Sequence, residues 1–396
     1  MNFIFISPQF PHTYWNFCDR LRRNGVNVLG IGDTPYDALE GHLKGALTEY
    51  YRVNSLENYD EVYCAVAFFA FKYGKIDWLE SNNEYWLEQD ARLRTDFNIT
   101  TGTSLEGISR YKSKSAMKPY YAKANVPTAR CHKITTREAA EAFLDEVGYP
   151  VIVKPDIGVG AADTFKLEDD AAFDSFFANQ PQIPYVMEEF IDGDIFSYDA
   201  ITDSHCEPLF ESMTAWPPSI MDIVNEQLDL GYYTVDRMPE ELARLGRATV
   251  KAFEVKSRFV HLEFFRLKKA RKGLGEVGDF VGLEVNMRPA GGYTPDMMNF
   301  AHSTDVYQIW ADMVTADKRL LPERNEDHFC VYAGRRDIHH YVHSHEEILE
   351  RYGSKIVMCE RIPDILSGAM GNQMYAAHAA SEEDVKEMIR FVQEQA

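Results

Sequence analysis

A β-branched run that closes on a charge constrains this chain more than any other feature. Val151-Ile152-Val153-Lys154-Pro155 has the composition of a buried strand, yet it carries Lys154 near its end. A lysine there, taken alone, reads as an edge-strand or snorkelling side chain. The next segment shifts the balance. Gly158-Val159-Gly160-Ala161-Ala162 is a flexible loop of small residues. Gly158 and Gly160 let backbone N–H groups approach a phosphate, and Lys154 adds a point charge beside them. Together they point to a nucleoside-triphosphate site.

Two later strands are acidic. His261-Leu262-Glu263-Phe264-Phe265 places Glu263 among apolar neighbours, and Gly282-Leu283-Glu284-Val285-Asn286-Met287-Arg288 spaces Glu284 and Asn286 two apart. Residues i and i+2 of a strand share a face. That face carries hard oxygen donors of the kind Mg²⁺ takes alongside phosphate oxygens and water. The alternative is a solvated sheet face, but Glu-x-Asn-x-Arg facing an acidic neighbour strand is an unusual solvated pattern, so metal binding is the better reading.

Gly273-Leu274-Gly275-Glu276-Val277-Gly278 matches the dinucleotide-binding pattern letter for letter. That fingerprint needs a helix after it, and here a strand, 280–287, follows. A hairpin turn is the better reading. His339, His340, His343 and His345 lack carboxylate or cysteine partners at zinc spacing, so a histidine-rich strand without metal is expected.

The chain is 396 residues long, which predicts two or three domains. Its formal charge of −21 argues against nucleic acid and anionic membranes, which need broad basic surfaces. Six scattered cysteines without C-x-x-C, no secretory leader and no long apolar run predict a reduced cytoplasmic protein. Strands at 3–6 and 26–31 alternate with helices at 14–23 and 59–73, so an α/β unit with a parallel sheet is expected over residues 1–110.

In this order, the lysine strand, the glycine loop, the segment Glu188-Glu189-Phe190-Ile191 and the Glu and Glu-x-Asn strands resemble the ATP-grasp superfamily. The resemblance is strongest to carboxylate–amine ligases of the L-amino-acid-ligase kind, with biotin carboxylase and D-alanine–D-alanine ligase more distant. It implies a pre-ATP-grasp parallel-sheet domain (1–110), an ATP-grasp fold of two α+β lobes (111–185 and 186–324) and a small C-terminal α+β extension (325–396). It also implies ATP with Mg²⁺, or Mn²⁺ in its place, and small-molecule carboxylate and amine substrates. Relatives of this kind often dimerise.

By the same resemblance Lys114 and Lys154 take the ATP phosphates, with Lys112 competing for the first role. Gly158 and Gly160 belong to the closing loop. Glu188, Glu189, Phe190 and Ile191 hold adenine. Glu263, Glu284 and Asn286 ligate metal, and Arg288 steadies the reacting carboxylate. Relatives usually carry a ribose-binding Glu where this chain has Ile195, so Asp194 is the expected substitute. Asn83, Glu84, Trp216 and Gly291 are expected near substrate; a helix cap explains the first two equally well, and core packing explains Trp216. The basic run Arg266, Lys268, Lys269, Arg271 and Lys272 reads as a solvated turn, or as a clamp for an acidic group. Rival functions are a kinase or carboxylase on the same ATP site, or an ATP-binding regulatory module without turnover.

Overall fold

The computed structural model describes residues 1–158, 163–217, 228–324 and 326–396. Gly160 lies outside the described residues. Strands β1 (Asn2–Ile6), β2 (Asn27–Gly32), β3 (Glu49–Arg52) and β4 (Trp78–Glu80) form a parallel sheet in the order β3-β2-β1-β4. Phe3, Ile4, Phe5 and Ile6 are fully buried, as a strand covered on both faces must be. Helices Trp15–Arg23 and Tyr59–Tyr73 supply the cover, with Phe17, Leu21, Val62, Val66 and Phe69 turned inward.

A second sheet is small and antiparallel. It orders β5 (Cys131–Lys133), β6 (Val151–Pro155), β7 (Phe165–Leu167) and β8 (Tyr185–Glu189) as β5-β8-β6-β7. Val151, Val153, Tyr185 and Met187 pack under helices Arg137–Val147 and Asp170–Ala178. Strand alternation therefore sends Ile152, Lys154, Val186 and Glu188 to the other face.

The third sheet has eight strands in the order β13-β12-β9-β10-β11-β14-β16-β15. They are β9 (Gly193–Thr202), β10 (Pro208–Trp216), β11 (Gly231–Thr234), β12 (Arg258–Leu267), β13 (Phe280–Asn286), β14 (Phe329–Arg335), β15 (Ile356–Arg361) and β16 (Gln373–Ala379). Helix Glu240–Phe253 covers one face through Leu242, Leu245 and Val250. Two of the sequence boundaries shift. Residues 186–189, expected to open the large lobe, pair inside the small sheet. Strands after residue 325 continue the large sheet through β11–β14 pairing. The histidine segment is not a strand: Ser344 and Glu347 form a capping box that starts helix His345–Tyr352.

A buried ion triad ties the first sheet to the third. Arg94 and Arg258 reach the same Glu80 oxygen at 2.8 and 3.1 Å, and all three side chains are at most 3 % exposed. Burial would raise the Glu80 pKa, but the two guanidiniums outweigh it and lower it. Arg258 also donates to the Met287 carbonyl, one residue before Arg288.

Two buried acids have the opposite shift. Burial pushes Asp90, beside Glu80, up to about 7, and burial does the same to Asp296. Both would ionise near 4 in an unfolded chain, roughly the ordinary carboxylate value. Between those limits the folded state holds more protons, so stability falls as pH rises from about 4 to about 7. Urea midpoints across that window should decline, and Asp90→Asn with Asp296→Asn should flatten the decline. An unchanged slope in the double variant counts against the assignment.

Candidate active site

The sequence-predicted donors lie on the face of the large sheet opposite helix Glu240–Phe253. Glu263 of β12 stands directly across from Glu284 of β13, and His261 directly across from Asn286. Facing pairs on adjacent antiparallel strands share a face. The same register adds Ser197 and Asp199 from β9 and Ser212 and Thr214 from β10. Burial would raise the Glu263 pKa, but His261, Arg288 and Lys154 outweigh it and hold the carboxyl below its ordinary range.

Helix Lys114–Lys123 brings a lysine to these acids. Ser113 caps it, accepting from the Ala116 N–H. The helix packs against the outer strand β13 at Gly282, where a Cβ would come within 2.7 Å of the Tyr121 ring. The Gly282 N–H donates to the Pro127 carbonyl at 2.8 Å. That close approach seats Lys114 Nζ 3.1 Å from Glu284 Oε1.

On the facing small sheet, Lys154 Nζ lies 2.6 Å from Glu188 Oε2, and Lys118 Nζ lies 2.6 Å from Glu188 Oε1. Burial would raise the Glu188 pKa; Lys154 and Lys118 reverse this and hold it at about 2. The expected adenine contact of Glu188 thus shares its carboxylate with two lysines. Asp156 anchors this corner from behind, accepting from Ser113, Ser115 and Lys133 while its carbonyl accepts from the Lys114 N–H. Gly158 is exposed at the end of this corner.

The remaining hinge residues divide. Glu189 turns away from Glu188, as strand alternation requires, and takes Arg130 at 2.8 Å and Arg271 at 3.0 Å. Lys166 lies over the Phe190 ring, and Ile191 is buried. Asp194 does not fit the ribose role expected of it. It alternates with Ile195, which faces the cleft beside Trp216, so Asp194 emerges on the opposite face. There it pairs with Lys268. The basic run is a solvated turn, as expected, but not a free clamp: Lys268, Lys269 and Arg271 pair with Asp194, Asp192 and Glu189. The three glycines 273, 275 and 278 have left-handed φ in a turn joining antiparallel β12 and β13.

On the substrate side, Lys112 is bound to Glu84 at 3.0 Å, which occupies both the competing phosphate lysine and a candidate substrate residue. Asn83 accepts from the Tyr85 N–H and so closes a local turn. Its neighbour Asn82 is the open side chain. It is fully buried at φ 53°, next to β1, and neither amide atom has a partner among the described residues. Asn is one of the non-glycine residues that most readily takes such a φ, so the unpartnered buried amide is the notable feature. Arg288 is half-buried and donates to the Pro289 carbonyl; Gly291, two residues further on, is exposed. Trp216 donates to Ser197 Oγ at 3.3 Å and stacks on Tyr232 at 4.5 Å.

Residues 110–215 match the family model of an ATP-grasp domain. This chain carries an ATP-grasp domain. Solved structures agree on its fold over nearly all of its length. An L-amino acid ligase from Bacillus licheniformis superposes with a TM-score of 0.70 at 14 % identity, covering 99 % of this chain and 96 % of that one. An N5-carboxyaminoimidazole synthetase from Staphylococcus aureus gives 0.71 at 11 % identity, with 99 % and 97 % covered. The biotin carboxylase domain of a Hydrogenobacter thermophilus 2-oxoglutarate carboxylase, solved as a dimer with MgADP, ADP and bicarbonate, gives 0.68 at 14 %, with 98 % and 89 % covered. No helix among the described residues is long and apolar enough to cross a membrane.

Four residues at the ATP-grasp cleft escaped the sequence reading: Lys118, Asp199, His261 and Asn82. Lys118 had a signal, because it follows Lys114 by four and shares its helix face. His261 had one too, sitting two before Glu263. Asp199 becomes visible only through strand register, and Asn82 only through burial.

Proposed function

We propose that the ATP-grasp chain joins a small-molecule carboxylate to an amine, consuming ATP and releasing ADP and phosphate through an acyl phosphate. The Lys114–Glu284 pair carries this reading. It sets a lysine from the small-lobe side onto the acidic face of the large sheet, so one bound phosphate chain would touch both. Lys154 and Lys118 supply further positive charge across the cleft, with Glu188 as their resting partner.

Glu263, Glu284 and Asn286 suit Mg²⁺: two carboxylates and an amide offer hard oxygens on one face. Among the described residues no three His, Cys, Asp or Glu side chains form a metal site by themselves. When bound, the ion would neutralise charge on the phosphates. The protein's own part is positioning and charge placement, the main source of rate in phosphoryl transfer. Lys114 and Lys154 hold the phosphates. The substrate carboxylate attacks the γ-phosphorus and ADP leaves. The amine then attacks the acyl carbon, phosphate leaves, and Arg288 stabilises the oxyanion between these events.

The test is ADP release from purified protein over amino acids and small dicarboxylates, singly and in pairs, with mass spectrometry of the products. An amide product is expected. A stable phosphate ester or a carboxylated product would replace this reading with a kinase or a carboxylase, and ATP binding without turnover on any pair would point to a regulatory module.

A further inference from the structure

A directional hydrogen-bond chain runs across three strands and ends on Glu263. Trp216 Nε1–H donates to Ser197 Oγ at 3.3 Å, and Ser197 Oγ–H donates to Asp199 Oδ2 at 2.6 Å. Asp199 Oδ1 meets His261 Nδ1 at 2.7 Å, and His261 Nε2 meets Glu263 Oε1 at 3.2 Å. Ser197, Asp199 and His261 are all buried. Strand register puts every member on the cleft face.

The chain has two consequences for the acidic face. His261 engages one oxygen of Glu263, Oε1, and no hydrogen bond is made to the other among the described residues. It also takes up Asp199, which stands directly across from His261 on the same face. Without His261, Asp199 would be a third carboxylate two residues along from the Glu263–Glu284 pair. It would repel them and compete as a donor.

We infer that His261 is a positioning residue, held by Asp199, that orients the Glu263 carboxylate for a divalent cation. It touches neither nucleotide nor substrate. The inference rests on reading Glu263 as a metal donor. Hydrogen-bond partners of metal ligands typically change affinity about 10- to 100-fold when removed.

The probe is Mn²⁺ with ADP, bound to the full chain and followed through the free Mn²⁺ resonance signal, so no turnover is needed. Four proteins form a double-mutant cycle: the parent, His261→Gln, Glu263→Gln and the double variant. Positioning through Glu263 predicts that His261→Gln weakens Mn²⁺ about 10-fold or more, with metal-free ADP affinity unchanged. In the Glu263→Gln background the same change should add nothing. Equal losses in both backgrounds, or no loss in either, would overturn the role of His261. Parent-like Mn²⁺ affinity in Glu263→Gln would instead remove the metal reading beneath it. If His261→Gln does not fold, Asp199→Asn enters the same cycle with the same expectations, since it releases His261 from behind.

Discussion

Replacing Glu284 with alanine should lower ATP turnover about 10³-fold or more while the chain stays folded. Glu284 faces Glu263 across β12 and β13 and is the ion-pair partner of Lys114. Its loss halves the carboxylate charge available to a cation and leaves Lys114 without a fixed position. The structural cost is small, because the side chain is only partly buried on an edge strand. Lys154→Ala should act alike from the facing lobe, since Lys118 remains to pair with Glu188. Phosphate release and thermal unfolding, measured together, check this. Folded variants that still turn over ATP at parental rates would remove both residues from the site.

Replacing Arg258 with methionine should destabilise the protein by about 1–3 kcal/mol, because a buried carbonyl loses its donor and Glu80 loses one of its two partners. Glu80 would keep Arg94, but the Met287 carbonyl would lose its donor just before Arg288. Removing all three charges together differs in kind. An apolar replacement of Glu80, Arg94 and Arg258 should recover much of the loss, as apolar substitutes for buried ionic groups often do. Urea unfolding of the single and triple variants separates the two cases. A single variant within 1 kcal/mol of the parent, roughly the worth of an exposed pair, would show that the triad carries no such load.

The ATP-grasp fold was legible because its chemistry sits on strands. Lys154, Glu263, Glu284 and Asn286 are polar residues inside apolar runs, and alternation alone assigns their faces. Helices Trp15–Arg23 and Tyr59–Tyr73 were legible from helical spacing of their apolar residues. What failed was pairing. Asp194 was expected at ribose from its distance in sequence to the hinge, yet one residue of alternation sends it to the wrong face. The ion pairs of the basic run were hidden because its acidic partners lie far off along the chain, in β8, in β9 and in the peptide between them. The histidine segment was misassigned because a capping box was overlooked in favour of alternation. Asn82 was hidden by its neighbour Asn83, which makes the visible turn.

The hairpin pairing has a mechanical meaning. The peptide between β8 and β9 joins the small sheet to the large one, so any motion between them would turn on it as a pivot. Arg271, Lys268 and Lys269 strap that pivot from outside, on residues 189, 194 and 192. The two lysine straps are exposed and therefore weak and screened by salt, whereas Arg271 grips a carboxylate that is 1 % exposed. The stiffness of the pivot is thus written 82 residues downstream of the hinge acid Glu189. Length changes in the β12–β13 turn should therefore change the stiffness of that link while leaving Lys114, Lys154 and Glu284 in place.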